Sequence, residues 1–120
     1  MLPPAHRMRR GTDFSLTTRH GTKVTRGRVV AYVRTSDEGA PLVGLIVGKV
    51  VGNSVARHRV SRRLRGAMAE VVPGLPSGCH IVLRALSGAA EDPDLSHDAV
   101  QAASMAFEQL ARRGDSRRHA

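Results

Sequence analysis

The pattern of apolar and polar residues along this chain predicts a small sheet covered by helices. Alternating side chains, or an uninterrupted apolar run, predict four strands, at residues 23–25, 28–34, 42–49 and 79–86. The run at 42–49 shows no polar alternation, so we expect this strand to be central in the sheet, with both faces buried. In the strand at 28–34, Val29, Ala31 and Val33 share one face, while arginines and Tyr32 share the other.

Apolar residues at helical spacing predict three helices between and after these strands. The first runs from about Asp13 to His20, the second starts at Asn53 or Ser54 and ends near Val72, and the third starts at Ser96. Thr12, Asn53 or Ser54, and Ser96 are the predicted capping residues. The apolar stripe of the third helix is Val100, Ala103, Phe107 and Leu110. The order αβββαβα predicts an α/β (α+β) two-layer sandwich with an about four-stranded sheet.

The length of 120 residues suits one domain. We expect a flexible basic arm at 1–10, a single domain at 11–113 and a disordered basic tail at 114–120. The single cysteine, Cys79, excludes an internal disulfide and a cysteine-based zinc site. Neither a signal peptide nor an apolar stretch long enough to span a bilayer is recognisable, so we expect a cytoplasmic protein.

The charge narrows the choice of partner. Lys and Arg number 19 against 10 Asp and Glu, which gives a formal net charge of +9. Such a chain favours a polyanionic partner, with nucleic acid ahead of an anionic membrane surface. The only lysines are Lys23 and Lys49, and arginine grips phosphate with two donors and stacks on bases.

The second helix segregates its charge. Helical spacing places Ala56, Val60, Leu64, Ala67 and Val71 on the face toward the sheet. The opposite arc carries Arg57, His58, Ser61, Arg62 and Arg65, with Arg59 and Arg63 on its far flank. No acid lies between Glu38 and Glu70 to relieve the repulsion of these arginines, which favours a phosphate-binding face over a solvated run of charges. Lys49 and the backbone donors of Gly52-Asn53-Ser54 extend this basic surface to the helix start.

The same segment resembles the signature of the bacterial ribonuclease P protein component. The matching residues are Gly48-Lys49-Val50, Gly52-Asn53-Ser54-Val55, Arg57-His58-Arg59 and Ser61-Arg62, followed by Arg65. The likeness extends through Asp13-Phe14, His20-Gly21, Tyr32 and Arg84, from about residue 7 to 113. Four positions depart from the family pattern, at Thr18, Val50, His58 and Ser61.

The resemblance implies the protein subunit of ribonuclease P, the endonuclease that removes 5′ leaders from precursor tRNA. The surface for the catalytic RNA would comprise Lys49, Gly52, Asn53, Arg57, His58, Arg59, Arg62, Arg63 and Arg65. A cleft for the leader would comprise Phe14, Thr18, Arg28, Tyr32, Arg34 and Arg84, where aromatic rings stack on bases of any sequence. A left-handed βαβ crossover is implied as well. The RNA subunit would perform the hydrolysis with Mg²⁺, leaving the protein without catalytic or metal-binding residues.

Three other functions fit parts of the sequence. A generic RNA-binding module, such as an RNA chaperone or ribosome-associated protein, explains the charge but not the joined Lys49, Gly52-Asn53 and arginine pattern. A protein-only nuclease requires a carboxylate cluster for Mg²⁺, which the acids here do not form. Helix-turn-helix DNA binding is disfavoured, because strands flank the basic helix, so we expect no DNA partner and no membrane partner.

Overall fold

A computed structural model describes residues 2–36 and 39–119, with side chains through residue 113. The helices are α1 (Gly11–His20), α2 (Ser54–Val71) and α3 (Leu95–His119), and the strands are β1 (Thr22–Arg26), β2 (Val29–Thr35), β3 (Leu42–Ile46) and β4 (Cys79–Ala85). Short 3-10 turns lie at Pro4–His6, Val72–Gly74 and Ala89–Glu91. The predicted order αβββαβα and the α+β class are confirmed, including the short first strand predicted at 23–25. The basic tail predicted at 114–120 lies outside the residues whose side chains are described.

The strands lie in the order β1-β2-β4-β3, with β3 parallel to β4 and the other pairs antiparallel. Helix α2 joins the two parallel strands, which is the βαβ unit that the resemblance implies. The left-handed sense of this crossover stays a prediction. The central position predicted for β3 is wrong, because β3 is an edge strand. Its apolar run is explained by cover on both faces and along its free edge, where the Met8 N–H donates to the Val43 carbonyl at 2.8 Å.

The N-terminal segment is packed against the domain, in contrast to the flexible arm predicted at 1–10. Leu2 and Met8 are buried, and Arg7 forms a bridge with Val43 of β3. The His6 Nδ1 lies 2.8 Å from the Pro41 carbonyl. The segment is held in place because it buries two apolar side chains and pairs with backbone groups that an edge strand would leave open.

Two apolar clusters lie on opposite faces of the sheet, as the alternation in β2 predicts. Val29, Ala31 and Val33 belong to the larger cluster, beneath α2 and α3. Val30 and Tyr32 belong to the smaller one, beside α1. The stripe predicted for α3 is displaced. Its fully buried residues are the small ones and Leu95, whereas Val100, Phe107 and Leu110 are only partly buried. Alanines allow this helix to approach the sheet and α2 closely.

The helix starts follow the predicted caps in one case of three. At α2 the Asn53 side-chain oxygen accepts from the Ala56 N–H at 2.9 Å, which confirms a cap at this position. Helix α1 begins at Gly11, so Thr12 lies within its first turn and no side chain caps it. Helix α3 begins at Leu95, where the Asp94 carbonyl accepts from the Asp98 N–H, so Ser96 lies inside the helix.

Candidate nucleic-acid interface

The outer surface of α2 is basic and open. His58, Arg59 and Arg62 are exposed, while Val60 and Leu64 on the inner surface are completely buried. The 3.6-residue period therefore separates apolar and basic side chains as the sequence predicts. Arg57, Ser61 and Arg65 are half-buried at the margins. The exposed residues form a continuous basic surface on α2, available to phosphate groups.

A tight turn links β3 to this surface. The Val51 N–H donates to the Gly48 carbonyl and the Gly52 N–H to the Lys49 carbonyl, both at 3.1 Å. Gly52 has φ +146°, and a Cβ on it would lie 3.0 Å from the Ala56 Cβ, so a larger residue would strain the turn. The turn leaves the Lys49 side chain exposed beside the start of α2. Its backbone thus brings a lysine to the positive end of the helix dipole.

Arg57 has unused hydrogen-bonding capacity at this helix start. Its Nη2 donates to the Ser54 Oγ at 3.2 Å, and its buried Nε has no hydrogen-bond partner. A shallow pocket of about 280 Å³ opens here, lined by Val47, Ser54, Arg57, His58 and Ser61. An unpaired guanidinium N–H is costly unless an acceptor arrives, and a phosphate oxygen is a suitable acceptor.

Arg63 faces inward, although the sequence assigned it to the RNA-binding surface. Its Nη2 donates to the Asp92 backbone carbonyl at 2.7 Å. Asp92 follows the 3-10 turn at Ala89–Glu91, so this hydrogen bond ties α2 to the loop before α3. The same carbonyl also accepts from the Leu95 N–H at 3.4 Å, so the guanidinium is its shorter and charged donor. Arg63 therefore stabilises the packing of elements and is only partly accessible to RNA.

The smaller cluster forms a second candidate surface, between α1 and the sheet. Tyr32 is only 5% exposed and packs with Met8, Val30 and Val82. The Arg84 Cζ lies 5.7 Å from the centre of the Tyr32 ring, within the range of a cation–π contact. Arg84 itself is exposed. Tyr32 is thus buried beneath this surface, and Arg84 is its exposed residue.

Phe14 packs on the sheet at a glycine of β3 that sequence reasoning did not identify. Its ring lies against Gly44 of β3, where a Cβ would collide with it. The glycine in the apolar run of β3 is thus the residue that seats a half-buried aromatic on the sheet. The Thr18 hydroxyl donates to the Phe14 carbonyl at 2.9 Å. The hydroxyl is therefore engaged by its own helix, where it supplies no stacking surface.

Arg28, which the family resemblance assigned to the cleft, lies just before β2 near the loop after β4. Arg28 precedes β2, about four residues from Tyr32, which is roughly 13 Å along a strand. Its Nε lies 3.3 Å from where a Cβ on Gly88 would stand, and it lines a pocket with Glu91 and Asp92. The Arg28 side chain therefore lies near the loop after β4, and its assignment to the cleft stays a prediction.

Arg34 lies at the other end of β2, paired with a residue that sequence reasoning passed over. His80 of β4 is its cross-strand neighbour, and Arg34 Nη2 lies 3.1 Å from His80 Nδ1. His80 is 5% exposed, and its pKa is lowered, by burial first and by Arg34 second, although Asp13 acts in the opposite direction. The alternation of residues 79–86 puts His80 on the same face as Val82 and Arg84, and this pattern could have identified His80 as a residue of the second surface.

Within the described ranges 2–36 and 39–119, no group of three or more His, Cys, Asp or Glu residues is arranged to hold a metal ion. In the same part of the chain, no helix has the length and apolar character needed to cross a membrane. Cys79 is buried, and burial raises the pKa of its thiol to about 11. Such a thiol is unreactive at neutral pH.

The fold and these two surfaces define an α+β protein with features typical of nucleic-acid binders, namely a basic helix face and a cleft with aromatic and arginine side chains. A family model described as Ribonuclease P matches residues 2–113. A Rhodococcus opacus protein named "Ribonuclease P protein component" is 46% identical over 97 residues, covering 75% of this chain and 78% of the relative. A Kocuria rhizophila protein of the same name is 43% identical over 113 residues, covering 92% of this chain and all of the relative.

Solved structures share the fold. A mutant of the Staphylococcus aureus RNase P protein superposes with a TM-score of 0.78 at 20% identity, covering 86% of this chain and 89% of the other. The RNase P protein from Thermotoga maritima superposes with a TM-score of 0.61 at 22% identity, covering 71% and 77%. The chain belongs to the ribonuclease P protein family.

Proposed function

We propose that this chain is the protein subunit of ribonuclease P, which binds the catalytic RNA subunit and the 5′ leader of precursor tRNA. It would thereby assist the Mg²⁺-dependent endonucleolytic removal of the leader, in the cytoplasm. The observation that carries the proposal is the open basic face of α2, continuous with the turn at Gly52 and Asn53. The sequence identity of 46% and 43% with two relatives named as ribonuclease P protein components supports ribonuclease P as the complex to which the chain contributes.

The surface proposed for the RNA subunit comprises the exposed Lys49, His58, Arg59 and Arg62, together with Arg57 at the helix start. The free Nε of Arg57 supports a phosphate contact in the pocket at the start of α2. Arg63 is expected to contribute indirectly, since its hydrogen bond to Asp92 holds α2 in place. Folded RNA presents closely spaced phosphates, which a rigid helix with several arginines can neutralise together.

The surface proposed for the leader is the cleft between α1 and the sheet. Half-buried Phe14 and exposed Arg84 are the members open to a base or phosphate, and the buried Tyr32 supports them from below. A guanidinium plane and an aromatic edge accept bases of any identity, which suits leaders of variable sequence. Departure from the family pattern at Thr18 removes one stacking surface, so arginine contacts carry more of the binding here.

Hydrolysis is proposed to belong to the RNA subunit. Mg²⁺ held by that RNA and by the substrate would supply the activated water and stabilise the leaving oxygen. Among the described residues of this chain, no group of three or more His, Cys, Asp or Glu is arranged to hold a metal ion. Their contribution is electrostatic, because neutralising RNA phosphates lowers the repulsion between RNA subunit and substrate.

Reconstitution with a cognate RNA subunit at low Mg²⁺ tests the proposal. The protein should stimulate cleavage at the mature 5′ end, and Arg59→Ala/Arg62→Ala should lose much of the stimulation. Arg112→Ala is a control for the loss of one charge elsewhere, since it removes an exposed arginine of α3 outside both surfaces. Binding to the RNA without stimulated 5′ cleavage would support a generic RNA-binding or RNA-chaperone role instead.

A further inference from the structure

One pair of side chains beside the proposed leader cleft has an unusual chemistry for a sheet surface. Arg34 of β2 and His80 of β4 are directly opposite each other, with Arg34 Nη2 3.1 Å from His80 Nδ1. An arginine only donates, so the Nδ1 must accept, and the ring proton then lies on Nε2. The contact therefore exists only while the imidazole is neutral.

The surroundings of His80 keep it neutral at physiological pH. It is 5% exposed, between Arg34 on β2 and Leu42 on β3, and Asp13 of α1 is the acid that acts on it. Burial and the neighbouring guanidinium disfavour a second positive charge more than Asp13 favours it, so the pKa is lowered. Histidine is thus used here as a hydrogen-bond acceptor.

Arg34 retains donors for a ligand after this contact. Its Nε is buried and has no hydrogen-bond partner, and the side chain as a whole is half-exposed. Strand alternation puts Arg34 on the same sheet face as Tyr32, and Arg84 lies on that face of β4. Arg34 thus lies at the end of a row of side chains that includes Tyr32 and Arg84. A guanidinium there with an unpaired N–H can bind a phosphate group of a single-stranded RNA that lies along this row.

We propose that Arg34 binds a backbone phosphate of the precursor-tRNA leader, and that neutral His80 is the positioning residue that holds Arg34 in the cleft. This inference rests on the proposed function and adds a substrate contact to it. Protonation of His80 converts the acceptor Nδ1 to a donor and places two positive charges side by side. Arg34 then leaves its position, so its hold on the leader phosphate weakens as pH falls.

The test measures leader recognition in the reconstituted holoenzyme, in competition between two precursors. One carries a leader of a single nucleotide and the other a leader of about eight nucleotides. The ratio of their kcat/KM values cancels the pH dependence of the chemical step, which both share. For the unaltered protein we expect the preference for the long leader to fall roughly five- to tenfold from about pH 8 to about pH 5.5, which corresponds to the net contribution of one ordinary hydrogen bond.

Four variants separate positioning from a merely structural role. His80→Asn keeps an acceptor atom near the place of Nδ1 but does not titrate, so the preference should stay high at every pH. His80→Val removes the acceptor in a residue suited to a strand, and it should match Arg34→Met, with a low and pH-independent preference. His97→Asn removes an exposed histidine at the start of α3 and should keep the pH dependence of the unaltered protein. Thermal melting checks that each variant folds.

The outcomes are distinct for the two proposals. A preference that rises at low pH, or that titrates in His80→Asn as in the unaltered protein, would overturn the role of His80. A strong preference that Arg34→Met does not reduce would refute the phosphate contact alone and leave the proposed function standing. Failure of the protein to stimulate cleavage of either precursor would refute both.

Discussion

Two adjacent arginines of α2 should give opposite phenotypes, although they are one residue apart in a uniformly basic segment. Arg62 is exposed on the outer surface, and Arg63 donates to the Asp92 carbonyl at 2.7 Å. A phosphate contact affects the salt dependence of RNA binding, whereas an internal hydrogen bond affects the stability of the fold. The comparison therefore tests whether the orientation of side chains on α2, and not its total charge, determines RNA binding.

The magnitudes follow from the role of each residue. Removing one arginine that binds a phosphate should lower the slope of log affinity against log salt by roughly 0.7 to 0.9. For Arg59→Ala/Arg62→Ala, the slope should therefore be lower by roughly 1.4 to 1.8. When salt rises from about 50 mM to about 200 mM, the loss of affinity should then be roughly 7- to 12-fold smaller for the variant than for the unaltered protein. Arg63→Ala should instead lower the free energy of unfolding by about 1 to 2 kcal/mol, since it leaves a half-buried carbonyl without its charged donor.

The assay is a filter-binding titration with the RNA subunit at several salt concentrations, together with urea unfolding of each variant. The double variant should keep its stability and show a reduced slope, and Arg63→Ala should keep its slope and show reduced stability. A reduction of slope in Arg63→Ala by roughly 0.7 to 0.9, half that of the double variant, with no change in the unfolding midpoint, would refute the assignment of Arg63 to the interior hydrogen bond. It would mean that the number of charges alone governs binding.

Three further predictions concern the fold around the two surfaces. Gly44→Val should displace Phe14 from the sheet and cost about 1 to 3 kcal/mol of stability, and it should weaken binding of precursor tRNA more than of mature tRNA in the same titration. The folded-state pKa of His80 is lowered from 6.5, so as pH falls this histidine takes up its proton more readily in the unfolded state than in the folded state. The free energy of unfolding should therefore fall as pH drops below about 6.5. Urea unfolding between about pH 5 and pH 8 should show that slope flattened in His80→Asn, and an unchanged slope would count against the buried neutral histidine. Asn53→Ala should cost about 1 kcal/mol, measured by the same unfolding, because the Ala56 N–H loses its cap, whereas Asn53→Ser should cost less.

The element order, the two faces of β2 and the basic surface of α2 were determined by the sequence alone. Each depends on residues within a few positions of one another. The period of α2 separates Val60 and Leu64 from His58 and Arg62 wherever the helix lies, and Asn53 caps it through a hydrogen bond to a residue three positions away. The net charge of +9 likewise follows from the composition alone.

Only the tertiary structure decided which of these residues are free to act. The edge position of β3 depends on how strands pair across the sheet, and its apolar run is explained by an N-terminal segment that covers it. Arg63 is engaged because Asp92, 29 residues away, presents a carbonyl to it, and Arg34 meets His80 across 46 residues. Local patterns cannot predict such contacts, because they arise only when segments far apart in the chain pack against each other and bury polar groups that must then find partners.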